Sequence, residues 1–108
     1  MSSTLWLPGA AGPFEEFVKR LHRQIEAYAE EAGVAQAFVE VVLMDGSRIV
    51  AEAISPEPGF GFLTIVPHPD ADGEEPARLI IPIGSIKRIE LDRAEEPRAR
   101  LGFSLPET

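Results

Sequence analysis

A chain of 108 residues with no cysteine, 44% hydrophobic residues and a formal charge of −8 has the size and make-up of one globular domain. Its 18 acidic against 10 basic side chains disfavour nucleic acid as a partner of the chain as a whole, because phosphate binding needs clustered Lys and Arg. The absence of cysteine excludes disulfides, thiolate metal sites and thiol catalysis together.

The first segment, residues 1–13, holds Leu5, Trp6 and Leu7 and then two prolines and two glycines, and reads as an arm without regular structure. Trp6 is read there as a hook onto the domain's own surface, with a partner's pocket as the other use of such a residue. No basic residue precedes Lys19 and the apolar run is short, so no secretory leader is expected. No run is long enough to span a membrane, and the expectation is a cytoplasmic chain.

Residues 14–33 read as an α-helix. Phe14, Phe17, Val18, Leu21, Ile25, Tyr28 and Ala32 recur at spacings of three and four and make one oily face. Pro13 suits the first helical position, Glu15 and Glu16 suit the positive end of the dipole, and Gly33 suits the terminus. The stripe predicts a helix lying on its own domain. It also satisfies a short heptad, which makes Phe17, Leu21, Ile25 and Tyr28 candidate contacts in a homo-oligomer. His22 lies off the stripe and reads as a surface residue.

Five short strands follow between residues 38 and 91. Val39, Val41 and Leu43 alternate with Phe38, Glu40, Val42 and Met44 over Phe38–Met44, a period of two. Asp45-Gly46 predicts a two-residue hairpin turn with positive φ angles. The return strand is Ser47–Ile54, where the small Ala51 and Ala53 allow a sharp bend or the close approach of another backbone. Ser55–Gly59, with two prolines, reads as a loop. Phe60–Val66 is a third strand, His68–Pro76 an acidic loop, Arg78–Pro82 a fourth strand and Ile86–Leu91 a fifth. The tail, residues 92–108, is polar as far as Arg100 and then alternates Leu101, Phe103 and Leu105; it adds an edge strand or stays loose. The fold class expected is mostly β with one N-terminal α-helix, a small, strongly bent, five-stranded antiparallel barrel.

Two stretches carry a family resemblance. Val39-x-Val41-x-Leu43-x-Asp45-Gly46, with Ala51 five residues past the glycine, resembles the first motif of the Sm-like (Lsm) barrels. Ile81-Pro82-Ile83-Gly84-Ser85-Ile86, with Ile89, is similar to their second. The resemblance covers roughly residues 38–91, and barrels of the Src-homology type share much of the pattern. It implies a ring in which the fourth strand of one subunit pairs with the fifth of the next. The family's uridine site, which needs an Asp and an Asn after the second strand and a base before the second-motif glycine, does not carry over. Glu57-Pro58-Gly59 and Pro82-Ile83 stand there, and the chain has no Asn.

The chemistry-bearing residues are sparse. The serines have no nucleophile elbow around them, so the chain is not expected to be an enzyme. His68-x-Asp70-x-Asp72 with Glu74 and Glu75 has oxygen ligands at alternate positions, but reads as a solvated acidic loop, and neither metal nor cofactor is expected. Arg78, Lys87 and Arg88 are the only clustered bases of the strand region and would be the contact if RNA bound, although Glu90 and Asp92 beside them partly cancel their charge. The expectation is therefore a non-enzymatic scaffold that self-associates, with a protein partner open. Leu79, Ile80, Ile81, Ile86 and Ile89 on the edge strands join the helix stripe as contact candidates. A divergent RNA-binding protein is the alternative.

Overall fold

The computed structural model describes residues 13–69, 77–96 and 98–106. The N-terminal arm and the acidic positions Asp70, Asp72, Glu74 and Glu75 lie outside the described residues.

Helix α1 runs Pro13–Ala32. It ends as its sequence predicts. Gly33 turns to a φ of +73°, and its N–H donates to Glu30 O while Val34 N donates to Ala29 O, a paired bond pattern that satisfies the last carbonyls. Val18, Ile25 and Ala29 are buried, with Leu21 and Tyr28 packed beside them in the core. The stripe thus faces the domain's own sheet, and Ile25, at 1% exposure, has no surface to offer a second copy. Phe17 lies at the exposed margin.

The five strands are β1 (Ala37–Leu43), β2 (Arg48–Gly59), β3 (Phe62–Pro67), β4 (Leu79–Pro82) and β5 (Ile86–Arg93). They form one antiparallel sheet in the order β4-β3-β2-β1-β5. A helix followed by five strands in this arrangement is consistent with Sm-like topology. No ladder joins β4 to β5, so the sheet is open where a closed barrel would be paired. A single 3₁₀ turn, Ile83–Ser85, carries the chain between them.

The β1–β2 turn differs from expectation. Gly46 has a φ of +91° while Asp45 keeps a negative one, and Gly46 N donates to Leu43 O as Leu43 N donates to Ser47 O. The loop is therefore three residues, a turn followed by a left-handed glycine. Asp45 acts through its side chain instead: one carboxylate oxygen accepts from the N–H and the hydroxyl of Ser47, at 2.9 and 2.6 Å.

Ser55–Gly59 is not a loop but the second half of β2. Thr64 Oγ1 donates to Glu57 O, and the β2–β3 register shifts between Ser55 and Gly59. Prolines are tolerated there because irregular pairing makes no demand on their missing N–H groups. The reversal falls at Phe60-Gly61, between the paired Gly59 and Phe62.

β2 changes partner along its length. It pairs with β1 only over Arg48–Val50 and with β3 from Ala51 onward, so a fork opens between β1 and β2. The tail fills it. Phe103 N donates to Ala37 O and Ser104 N to Glu52 O, and Phe103 is 2% exposed in the core. Gln36 Nε2 donates to Phe103 O, and His68 Nε2 to Gly102 O at 2.7 Å. The tail is neither an edge strand nor loose; it is an extended strap.

Candidate interaction surface

Alternation sorts the sheet into two faces. Val39, Val41, Ala51, Ile54, Leu63 and Ile65 point inward and form the core with α1 and Phe103. The outward side chains divide into two unlike regions.

Over β1, β5 and the start of β2 the outer face is a charge ladder. Glu40 on β1 lies directly opposite Glu90 on β5, a repulsive pair if left alone. Arg48 joins the two carboxylates, at 3.0 and 3.1 Å, and Arg88 adds a 2.6 Å contact to Glu90. The hydrogen bond from Arg88, with that from Arg48, holds the Glu90 carboxyl below its usual range, and the bonds to Glu90 and Glu40 raise Arg48. Beside them the Arg98 guanidinium stacks 4.3 Å from the Phe38 ring centre and bonds Asp92 at 3.0 Å. Asp92 is lowered by the N–H of Arg93 first and by Arg98 second.

Over β3 and β4 the described outer side chains are uncharged, and the exposed Glu57 on the second half of β2 stands beside them. Phe62 pairs with Pro82, Thr64 with Ile80 and with Ser55, and partners in register share a face. Phe62 and Ile80 are exposed, and Phe60, in the turn beside them, is 90% exposed. Phe60 also has a φ of +57°. Left-handed backbone is costly for a bulky residue, by about 1–2 kcal/mol, and here the side chain earns nothing within the monomer. Met44, also exposed, reaches the same end, since Met44 N donates to Ser85 O and Ile83 N to Gly61 O.

Among the described residues the sheet's two edges are unpaired, β4 on one side and β5 on the other. Their inward side chains, Leu79 and Ile81 on β4 and Ile86, Ile89 and Leu91 on β5, pack on the core but stay only partly buried. Ile80 points outward. Of the three bases singled out in the sequence, Lys87 sits at the register shift of β5 and Arg78 just before β4, both exposed, while Arg88 is held by Glu90. They do not converge on one site.

An open groove of about 430 Å³ lies between α1 and the strap, lined by Lys19, His22, Arg23, Glu26, Leu105 and Pro106. Its charges are mixed. Arg23 is in contact with Glu16, and His22 Nε2 donates to Ile54 O at 3.1 Å. Both histidines thus serve backbone carbonyls; since a carbonyl can only accept, Nε2 carries the proton in each. Among the described residues no three His, Asp or Glu side chains gather into a metal-binding group, and no helix is long and apolar enough to cross a membrane.

Sequence reasoning missed Phe60 as an exposed residue, although Gly59-Phe60-Gly61 is itself a turn signal. It also missed Gln36 as the partner of the strap, for which the sequence carries no sign.

No family model matches the chain, and neither does any curated protein or solved structure.

Proposed function

We propose that the chain is a non-catalytic Sm-like scaffold, its sheet bent into a small barrel, that assembles with copies of itself by pairing β4 of one subunit with β5 of the next. The observation that carries this reading is the pair of unpaired sheet edges with half-covered inward side chains, Leu79 and Ile81 on one and Ile86, Ile89 and Leu91 on the other. Open edges present free N–H and C=O groups that template another strand. Pairing them would satisfy those groups and cover both apolar rows at once. A head-to-tail contact of this kind closes into a ring when the rotation permits.

The RNA-binding alternative draws less support. Arg88 is spent on Glu90, and Arg78 and Lys87 stand on different elements of a chain with a charge of −8.

Light scattering over ~1–100 µM tests the reading, the range being that of ordinary reversible assembly. The expected mass is several times that of one chain, with amides of β4 and β5 slowing their hydrogen exchange as concentration rises. A single-chain mass throughout overturns it. A titration with uridine-rich and adenine-rich RNA at low salt, where phosphate contacts are strongest, is expected to show no binding; tight binding would favour the alternative.

A further inference from the structure

We infer that the uncharged outer face of β3 and β4, with Phe60 at its tip, is a second contact between copies of this chain, packed face to face about a twofold axis. The inference rests on the self-association proposed above, and adds a surface that pairing of the edges does not use.

Three observations carry it. The first is contrast of charge. The outer face holds Ser55, Phe62, Thr64, Val66, Ile80 and Pro82, with the exposed Glu57 beside Thr64 and Arg78 just before β4. At a net charge of −8, two copies repel one another over most of their surface. The ladder of Glu40, Arg48, Arg88 and Glu90 already pairs its charges internally. Among the described residues, the β3–β4 face is where two copies can meet with the least like charge brought together.

The second is area. Phe60, Phe62 and Ile80 are 90%, 43% and 59% exposed, which leaves on the order of 350 Å² of apolar side chain in water per copy. That lies within the ~300–600 Å² of the largest patch on a typical monomer, a patch that often serves a contact. A twofold contact covers it twice, about 700 Å², and Thr64, Val66 and Pro82 around it bring the total toward ~1,000 Å², the lower bound of a specific interface. A self-complementary patch of this kind is the commonest way for identical chains to pair.

The third is Phe60 itself. A glycine or asparagine would fit its left-handed turn without strain. An aromatic held there, aimed into solvent, is costly on both counts, and the strain is offset only if the ring is used outside the monomer.

The test is the mass of Phe60→Gly and Phe62→Thr, singly and together, by sedimentation over ~1–100 µM. Neither residue is on β4 or β5, so edge pairing is untouched, and thermal unfolding monitors the fold. The expected result is at least a tenfold weaker association, and a mass halved in the double variant, with the melting temperature held or raised. If the double variant keeps the wild-type mass while the β4 and β5 amides remain protected, this face is not a contact and edge pairing stands alone. If the face variants dissociate the assembly but the edge amides exchange freely, edge pairing fails and this contact survives. If the wild type is a single chain at ~100 µM, the face contact is overturned with the edge pairing. If that single chain floats with phosphatidylcholine vesicles and Phe60→Gly does not, the face belongs to a lipid surface and the inference is overturned in its favour.

Discussion

At the scale of single residues, the strap depends on Gly102. Its backbone φ of −68° is open to any residue, so conformational freedom is not why glycine stands there. Space is the reason. A Cβ at this position would come within 2.6 Å of the Cβ and Oε1 of Gln36. Gly102→Ala is therefore expected to cost about 1–3 kcal/mol, as overpacking does, read from denaturant unfolding. Gln36→Gly in the same chain would recover part of it. Phe103→Ala, which empties a site 2% exposed, should cost more, about 3–5 kcal/mol. Phe60→Gly should go the other way. Relief of the left-handed strain is worth about 1 kcal/mol, so the melting temperature should rise while association weakens. A variant that is both less stable and still assembled would contradict the reading of that turn.

At the scale of elements, the helix and the strap do related work on opposite sides of the same problem. The inward face of the sheet must be covered, and α1 brings Val18, Ile25 and Ala29 to it. The fork where β2 leaves β1 needs a plug, and residues 102–104 supply one with backbone bonds to both strands. Deletion of residues 98–108 should therefore unfold or grossly destabilise the chain, although a tail of this composition looks dispensable. If the shortened chain melts within a degree or two of the full one, the strap is not structural. The expectation of a helix lying on its own sheet is met because the apolar spacing leaves one face no alternative; the exposed Phe17 is what remains for another contact.

At the scale of the whole molecule, charge decides how stability responds to pH. Glu16, Asp45, Glu90 and Asp92 all have folded pKa values held below the ordinary ones, by Arg20, by Ser47, by Arg88 and Arg48, and by the Arg93 N–H with Arg98. A lowered folded pKa means that the unfolded chain binds protons first as pH falls. The contribution is complete above the unfolded carboxylate range, and is lost as pH drops through that range and the folded values below it. These groups are on the surface, so the slope should be shallow. Unfolding midpoints should be level from neutral pH to about 5 and decline below it. Arg48→Gln should flatten the decline slightly, because Glu90 loses the second of its two arginine partners and keeps Arg88, and lower stability at neutral pH; an unchanged profile would show that Arg48 contributes nothing to it.

Local pattern determined much of this protein before any contact was known. The three-and-four spacing of α1, the alternation in β1 and the break at Gly33 are short-range properties, written in adjacent residues, and each gives the element expected. The resemblance to Sm-like chains rested on the same local alternation, and it anticipated the order of elements. What it could not decide was anything set by distant partners. Pro56 and Pro58 read as loop residues because the irregular β2–β3 pairing that accommodates them is a property of two strands. Phe103 read as part of a tail that adds an edge strand or stays loose, because the fork it fills is made by residues more than fifty positions away. The pairing of Arg88 with its neighbour Glu90 was legible in the sequence; that Arg48 reaches Glu90 and Glu40 from another strand was not. The faces that remain apolar, and so the surfaces on which function is proposed, emerge only when every other side chain has found its neighbour.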